Sequence, residues 1–362
     1  MSATHTPAEV FPAGEYLRDE LDERGWTVTE FAEIIGRPIQ AVSEIINGKK
    51  EITTDTACSI ADALGTSPDL WLNLQTNYRL HEARKATDPA PSLVARRARL
   101  RGLVPLARMR ARGWLPDSDD IDALESSVRA LLELDSLDAH PSFALAARRA
   151  NSAEAISLEQ TAWLAHVRAI ARSSDVPHLN LPRLAELAGD VPRLTANGPS
   201  DLVQLPSAFA ECGVALVFAE GLPGGKLDGA ATFLADGRAL IGLTTRGDRF
   251  DSLLFTLLHE CAHLVLSHIT ADNDSIVDDE VGSEVADDRE SAANMQASRW
   301  LFPDGFALGS TSVPSMVEAA MRYGVHPSVV IGRVQRDTGN WSQHRAKIPK
   351  VRPYLAEAGM LS

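Results

Sequence analysis

Two histidines one helical turn apart are the residues of this sequence whose types and spacing could do chemistry. His259, Glu260 and His263 stand in the pattern His-Glu-x-x-His. Because side chains four residues apart lie on one face of an α-helix, both imidazoles can bind a single zinc ion. Glu260 is then placed beside the ion to act on a bound water. The apolar periodicity around these residues predicts a helix over residues 249–268.

A catalytic zinc ion requires a third protein ligand and one open position. Glu290, at the start of a second predicted helix over residues 288–302, is the preferred candidate, and Glu284 and Asp287 are alternatives. On a continuous helix His268 would point about 140° away from His263. His268 is therefore interpreted as a helix-terminus residue and not as a ligand.

Four further residues near this pattern have weaker interpretations. Asn294, one turn beyond Glu290, is predicted to orient a ligand from outside the coordination sphere. Cys261 is interpreted as a small buried side chain, with a soft ligand or an oxidation sensor as the alternatives. His326 and Arg333 are weak candidates for stabilising an oxyanion, and a structural role is preferred for both.

A second functional pattern lies near the N-terminus, where two short helices are predicted on either side of Gly36. Thr27 and Glu30 form a capping-box pattern at the first of them. Four apolar residues are expected to pack inward: Ile35, Ile39, Val42 and Ile45. This arrangement is typical of a helix-turn-helix that reads DNA. The alternative is a helical packing module without a role in DNA binding.

The polar residues of the second helix and those just after it are the predicted DNA contacts. They are Gln40, Ser43, Glu44, Asn47, Lys49 and Lys50. A glutamine side chain can pair with adenine, and serine or glutamate can contact a base or a phosphate. The two lysines suit phosphate contacts.

Length and composition limit the class of protein. A chain of 362 residues with 44% hydrophobic and 23% charged residues is expected to form two or three globular domains. A net charge of −14 argues against non-specific coating of nucleic acid. The three cysteines show no paired spacing, which favours a reducing compartment. Neither a secretory signal nor a membrane span is recognisable, so a cytoplasmic protein is predicted.

The predicted fold class is mainly α with a small β-sheet, in four segments. Residues 1–80 form an all-α helix-turn-helix domain, and residues 81–196 form a helical linker or positioning region. Residues 197–345 form an α+β domain, in which Asp236-Gly237 predicts a β-hairpin. Residues 346–362 form a C-terminal tail.

Both ends of the chain resemble known families. Residues 12–78, with Ser43-Glu44-Ile45-Ile46-Asn47-Gly48-Lys49 as one matching stretch, resemble the Xre-type helix-turn-helix and in particular the HigA antitoxin branch. This resemblance implies binding to a palindromic, double-stranded DNA operator, usually as a homodimer.

Residues 202–335 resemble the ImmA/IrrE metallopeptidases, which implies a zincin-like fold. The matching residues are Thr256-Leu257-Leu258-His259-Glu260-Cys261-Ala262-His263-Leu264, then Glu290-x-x-Ala293-Asn294 and Trp300-Leu301-Phe302-Pro303. In that family the two histidines and the downstream glutamate bind Zn²⁺, and the glutamate within the motif is the general base. These roles fall on His259, His263, Glu290 and Glu260.

The preferred functional hypothesis is a DNA-binding transcriptional regulator with an attached zinc-dependent endopeptidase domain. Its protein substrate would be a partner repressor, a toxin or a copy of this chain. The alternative is a HigA-like antitoxin and autorepressor, in which the zincin-like domain senses a signal or binds a partner without proteolysis. A third hypothesis is a domain in which zinc has a purely structural role.

Overall fold

The computed structural model describes residues 10–85, 91–143, 156–270 and 283–362. The chain forms two compact units, an N-terminal unit Met1–Ser92 and a C-terminal unit Leu93–Ser362. This division differs from the four predicted segments, because the predicted boundary between residues 196 and 197 falls inside the C-terminal unit. In the described residues no helix has both the length and the apolar character needed to cross a bilayer.

In its described residues the N-terminal unit is all-helical, as predicted. Its helices are α1 (Ala13–Arg24), α2 (Val28–Ile34), α3 (Ile39–Ile46), α4 (Thr54–Leu64) and α5 (Pro68–Lys85). Thr27 and Glu30 form the predicted capping box at the start of α2. Phe31, Ile60 and Trp71 are fully enclosed in the core of this unit.

Gly14 sets the distance between α1 and α3. A Cβ atom at this position would lie 2.2 Å from the carbonyl oxygen of Ile45 and 2.6 Å from that of Ile46. Real Cβ atoms do not approach other atoms so closely, so only glycine permits this contact. Gly14 thereby lets the start of α1 touch the C-terminal end of α3.

The C-terminal unit combines helices with a small sheet. Its helices are α6 (Leu93–Leu103), α7 (Leu106–Ala111), α8 (Ile121–Leu131), α9 (Leu158–Arg172), α10 (Leu181–Leu194), α11 (Leu205–Glu211), α12 (Phe250–Val265), α13 (Ser283–Leu301), α14 (Val313–Tyr323), α15 (Pro327–Thr338) and α16 (Arg352–Glu357). Its strands are β1 (Val214–Ala219), β2 (Gly229–Phe233) and β3 (Ala239–Thr244), in the order β1-β3-β2. β1 runs parallel to β3, and β2 pairs with β3 as the antiparallel hairpin predicted at Asp236-Gly237.

The sheet has an apolar core on each of its faces. Alternate side chains of β1 enter opposite cores, because successive residues of a strand point to opposite sides. Leu216 packs with the residues of α12, whereas Val217 packs with α9 and with the helices before it. Gly242 of β3 allows the close approach of α9, since a Cβ there would lie 2.6 Å from Val167 Cγ1.

The helices between residues 93 and 172 therefore form one layer of the C-terminal unit, which differs from the separate linker or positioning region predicted for residues 81–196. The predicted tail also packs into this unit. Val351 and Leu355 are fully buried, and Leu361 forms a parallel bridge with Phe218 of β1. A segment without periodicity cannot be recognised from sequence as part of a core when its partners lie more than a hundred residues away.

Candidate functional site

The predicted DNA contacts share one face of α3. Gln40 is exposed, Ser43 and Glu44 are half-exposed, and Asn47, Lys49 and Lys50 are exposed at the end of the helix and just beyond it. The spacing of residues 40, 43, 44 and 47 is that of one helical face. On this face the Gln40 amide donates a hydrogen bond to the Glu44 carboxylate at 3.1 Å.

The opposite face of α3 packs into the core through Val42, Ile45 and Ile46. The prediction that Ile39 packs inward is wrong, since this side chain is 49% exposed. Ile39 is the first residue of α3 and follows the N-cap Pro38, whereas the buried residues of this helix begin at Val42.

Asn47 has a structural role in addition to its exposed position. Its Nδ2 donates to the Ser43 carbonyl oxygen at 2.7 Å, and its Oδ1 accepts a hydrogen bond from Arg18 Nη2 at 3.2 Å. Arg18 belongs to α1 and was not singled out from the sequence. The structure places its guanidinium beside Asn47, at the end of α3.

The second candidate site lies between α12 and α13. His259 and His263 project from one face of α12, and Glu290 projects towards them from α13. On α13 the buried Ala293 and Ala297 lie three and seven residues after Glu290, on the same helical face. Their small side chains let the two helices pack closely, and this packing brings the carboxylate to the imidazoles.

The three side chains converge at distances that suit a metal ion. The two Nε2 atoms of His259 and His263 lie 3.0 Å apart. Glu290 Oε2 lies 3.2 Å from His259 Nε2, and Glu290 Oε1 lies 3.3 Å from His263 Nε2. Ligand atoms around tetrahedral zinc lie roughly 3.3–3.5 Å apart, since the bonds to zinc are about 2.0–2.1 Å long. The donor set and its spacing therefore fit zinc.

The charges around the cluster perturb the titration of its members. The hydrogen bonds from His259 and His263 hold the pKa of Glu290 far below its usual range. Burial lowers the pKa of His259, but the hydrogen bond with Glu290 and the charge of Glu260 outweigh it, so that the pKa is raised. Perturbed titratable groups of this kind cluster at functional sites.

His268 lies next to His263, contrary to the prediction. The two Nδ1 atoms are 3.2 Å apart. The predicted helix continued through His268, but α12 ends at Val265, and Ser267 has a left-handed backbone with φ 55°. The chain therefore turns back over the last helical turn. A proton on His263 Nδ1, donated to His268, leaves the lone pair of His263 Nε2 directed at the cluster.

Glu260 faces the sheet and not the solvent. Burial raises the pKa of its carboxyl group, and the backbone of Ala231 in β2 hydrogen-bonds to it. Gly229, at the start of β2, makes room for this side chain, because a Cβ at Gly229 would lie 3.3 Å from Glu260 Cγ and 2.6 Å from Thr256 Cγ2. The close contact between β2 and α12 thus holds the Glu260 side chain between the helix and the strand.

The other residues singled out from the sequence lie at or near this site in different roles. Asn294 contributes to the raised pKa of His259, and His259 Nδ1 is buried without a hydrogen-bond partner among the described residues. Cys261 is fully buried in the apolar core and, among the described residues, is not part of the converging cluster. His326 caps α15 by accepting from the Ser328 backbone N–H, and Arg333 pairs with Asp337. The side chains of Glu284 and Asp287 fall outside those that the structure describes.

Comparisons with known proteins identify the N-terminal unit. A model of the helix-turn-helix family HTH_3 matches residues 17–71. The uncharacterised HTH-type transcriptional regulator YddM of Escherichia coli K12 is 33% identical over 75 residues, which make up 21% of this chain and 80% of YddM. Antitoxin HigA-1 of Vibrio cholerae serotype O1 is 39% identical over 72 residues, 20% of this chain and 68% of that antitoxin. The solved structure of PA4674 from Pseudomonas aeruginosa in complex with its operator DNA is 29% identical, covers 23% of this chain and 89% of PA4674, and has a TM-score of 0.22.

The N-terminal unit is therefore a DNA-binding domain of the kind found in transcriptional regulators and antitoxins. The chain belongs to the helix-turn-helix family, through residues 17–71. The prediction of an Xre/HigA-type helix-turn-helix is confirmed at this level. The similarities reported above each cover about a fifth of the chain, so the role of the C-terminal unit rests on its own residues.

Proposed function

We propose that this chain is a transcriptional regulator whose C-terminal unit is a zinc-dependent endopeptidase of the ImmA/IrrE type. The observation that carries this proposal is the convergence of His259, His263 and Glu290, whose potential ligand atoms lie within 4.8 Å of one another. The charge of Glu260 interacts with both histidines. Two imidazoles and one carboxylate, with a fourth position left open, are a ligand set of catalytic zinc.

Each residue of the proposed zinc site would have a distinct role in binding the ion or in moving a proton. His259, His263 and Glu290 hold the ion, and His268 and Asn294 orient the two imidazoles. Zinc, when bound, acts as a Lewis acid that polarises a carbonyl group and makes water more acidic. Glu260 accepts the proton of the attacking water and passes it to the leaving amine.

The position of β2 favours a peptide as the substrate. β2 is an edge strand that pairs with β3 on one side only, within the described part of the sheet. Its backbone lies against Glu260, through Ala231. An extended peptide can add to such an edge by main-chain hydrogen bonds. A chain held there would present its carbonyl groups close to the proposed general base.

The metal content of purified variants tests the ligand set. Loss of bound zinc is expected in His259→Ala, His263→Ala and Glu290→Ala, because each removes one of the three donors. Glu318→Ala, which removes an exposed carboxylate on α14, is the matched control and should retain zinc. Unchanged zinc in Glu290→Ala would move the third ligand to another residue, and unchanged zinc in the histidine variants would refute the site.

Cleavage assays test the peptidase activity. The zinc-loaded full chain is incubated with helix-turn-helix repressors and toxin proteins encoded beside its gene, and with a second copy of itself. Glu260→Gln keeps the size of the side chain but removes the base, so cleavage should fall by at least about 100-fold. Glu318→Gln should cleave as the wild type does. Equal cleavage by wild type and Glu260→Gln would refute the role of Glu260.

For the N-terminal unit we propose binding, as a homodimer, to a double-stranded operator in the cytoplasm. Leu70 and Leu80 of α5 are exposed apolar residues that can support association between copies. Gln40, Ser43 and Glu44 would face base edges, and Lys49 and Lys50 would face phosphates. Replacing both lysines by alanine should lower the slope of log K against log salt by roughly 2, since each phosphate contact contributes about 0.9. An unchanged slope would remove them from the interface.

The similarity to antitoxin HigA-1 favours a second candidate function. In that case the chain is an antitoxin and autorepressor, and its C-terminal unit binds a partner or senses a signal without proteolysis. The two functions differ in their dependence on Glu260. An antitoxin would neutralise a toxin encoded beside its gene equally well as wild type and as Glu260→Gln, whereas a peptidase would not.

A further inference from the structure

A cavity of about 330 Å³ lies in the C-terminal unit at the carboxyl ends of the two parallel strands. β1 ends at Ala219 and β3 ends at Thr244, and the segments that follow them, residues 221–227 and 246–247, form much of its wall. Ligands of α/β proteins bind preferentially at the carboxyl ends of parallel strands. The volume lies at the lower end of the range for small-molecule sites, roughly 300–1,000 Å³. Among the described residues, none of the proposed zinc ligands lines this cavity.

The wall of this cavity is positively charged. Lys226, Arg246 and Arg352 line it, and Glu159 is the acidic residue among its lining side chains. Glu159 is neutralised by an ion pair with Arg108. Next to the cavity, Asp228 Oδ1 lies 3.3 Å from Arg246 Nη1 and forms an ion pair with it. Lys226 has no ion pair with the residues that the structure describes, and its side chain is exposed.

Glu220 adds one more acid close to the cavity, and two arginines contact it. Arg352 Nε lies 3.6 Å from Glu220 Oε1, and Arg112 forms an ion pair with the other carboxylate oxygen. Asp248 also adjoins the cavity, where its carboxylate accepts hydrogen bonds from the backbone N–H groups of Val351 and Arg352. Five cations therefore face four acids at and around the cavity. The remaining positive charge favours an anionic ligand.

Two hydrogen-bonding features point to the same class of ligand. The first turn of α9 contributes Glu159 and Gln160 to the wall, so the positive end of a helix of 15 residues adjoins the cavity. Trp163, 1% exposed, also lines it, and its indole Nε1–H is buried without a hydrogen-bond partner among the described residues. Buried donors are nearly always paired, so this N–H requires an acceptor that a water molecule or a ligand supplies.

We propose that this cavity binds a small phosphomonoester, with the phosphate held by Lys226 and Arg246 and the organic part against Leu222 and Leu227. Phosphate offers several strong acceptor oxygens, which match two cationic side chains, an orphan indole N–H and a helix N-terminus. The glycine-rich segment, residues 221–225, lets the backbone approach such a group closely. This site is independent of the proposed zinc site, since it uses a different set of residues.

Titration calorimetry with the full chain tests this proposal. The probes are inorganic phosphate and ribose 5-phosphate, with ribose as the uncharged control. Phosphate and ribose 5-phosphate are expected to bind, ribose 5-phosphate more tightly, and ribose not to bind. Lys226→Ala and Arg246→Ala should each weaken binding by about tenfold, as expected for the loss of one charged hydrogen bond.

Arg183→Ala is the matched control. Arg183 is an exposed arginine of the same unit that pairs with Glu211 and does not line the cavity. Its affinity for both probes should equal that of the wild type. Lys226 and Arg246 are exposed, so their replacement should leave the circular dichroism spectrum unchanged. Absence of binding by the wild type, or equal affinity in wild type and Lys226→Ala/Arg246→Ala, would overturn the proposal.

Discussion

Replacement of Gly229 by alanine should destabilise the C-terminal unit, because the added Cβ atom clashes with the side chain of Thr256. A second substitution, which shortens that side chain, should relieve the clash. The added Cβ would lie 2.6 Å from Thr256 Cγ2 and 3.0 Å from Leu243 Cδ2. Overpacking of this kind costs about 1–3 kcal/mol. The lower entropy of the unfolded alanine chain returns only about 0.4–1 kcal/mol. The cost of the clash exceeds the entropic gain, so a net loss of roughly 1–2 kcal/mol in the free energy of unfolding is expected. For a domain of this size each kcal/mol lowers Tm by about 2–4 °C.

Thr256→Ser deletes the methyl group that the new Cβ would strike. In Gly229→Ala/Thr256→Ser much of the lost stability should return, which gives a coupling free energy of about 1 kcal/mol in a double-mutant cycle. Gly102→Ala is the matched control, because Gly102 lies in α6 and a Cβ there meets no atom within 4 Å. This control should gain roughly 0.5–1 kcal/mol, as glycine does when replaced inside a helix.

The assay is thermal unfolding of the full chain, with the four members of the cycle measured side by side and zinc affinity recorded for each. Weaker zinc binding is expected in Gly229→Ala. The added Cβ atom would push β2 away from α12, and this displacement would move Glu260 and the helix that carries His259. Additive effects of the two substitutions would refute the reasoning. So would a Gly229→Ala protein as stable as Gly102→Ala.

Three further predictions concern other parts of the molecule. Gly14→Ala should lower the stability of the N-terminal unit by about 1–3 kcal/mol and weaken operator binding, since its Cβ would lie 2.2 Å from the Ile45 carbonyl oxygen; melting curves and gel-shift titration measure this, and wild-type values would contradict it. His268→Phe should reduce zinc affinity by roughly 10–100-fold through loss of the partner of His263, measured by competition with a chelator, where unchanged affinity would argue against a positioning role. Burial lowers the pKa of His166 to about 4 in the folded protein, below the value of about 6.5 in the unfolded chain. The free energy of unfolding should therefore be highest above pH ~6.5 and should fall towards pH 4, by less than roughly 3 kcal/mol because part of the ring is exposed. Urea unfolding measured against pH should show this fall in wild type and a flatter profile in His166→Phe.

Features that depend on neighbouring residues in the chain could be predicted from the sequence. The capping box of Thr27 and Glu30 and the turn at Asp236-Gly237 each follow from two or three residues and standard backbone geometry. The shared face of His259 and His263 requires only that the segment be helical. Such predictions do not depend on the overall fold, because they require no residue from a distant part of the chain.

Features that depend on where a helix ends or on what packs against it could not be predicted in the same way. The orientation of His268 reverses because α12 stops at Val265, three residues before the predicted end. The sequence left Glu290 with Glu284 and Asp287 as alternatives, since all three precede or begin the same helix. The helices between residues 93 and 172 have the periodicity of any amphipathic helix, and nothing local shows that they cover one face of the sheet.

The geometry of the proposed zinc site depends on residues that carry no chemistry of their own. Ala293 and Ala297 let α13 approach α12, and Gly229 lets β2 approach Glu260. Ser267 adopts a left-handed backbone that returns His268 to the cluster. A larger side chain at the first three positions would separate elements that the chemistry needs within hydrogen-bond distance. Substitutions at these positions should therefore impair zinc binding without altering any ligand, and a search for function confined to histidines and carboxylates would overlook them.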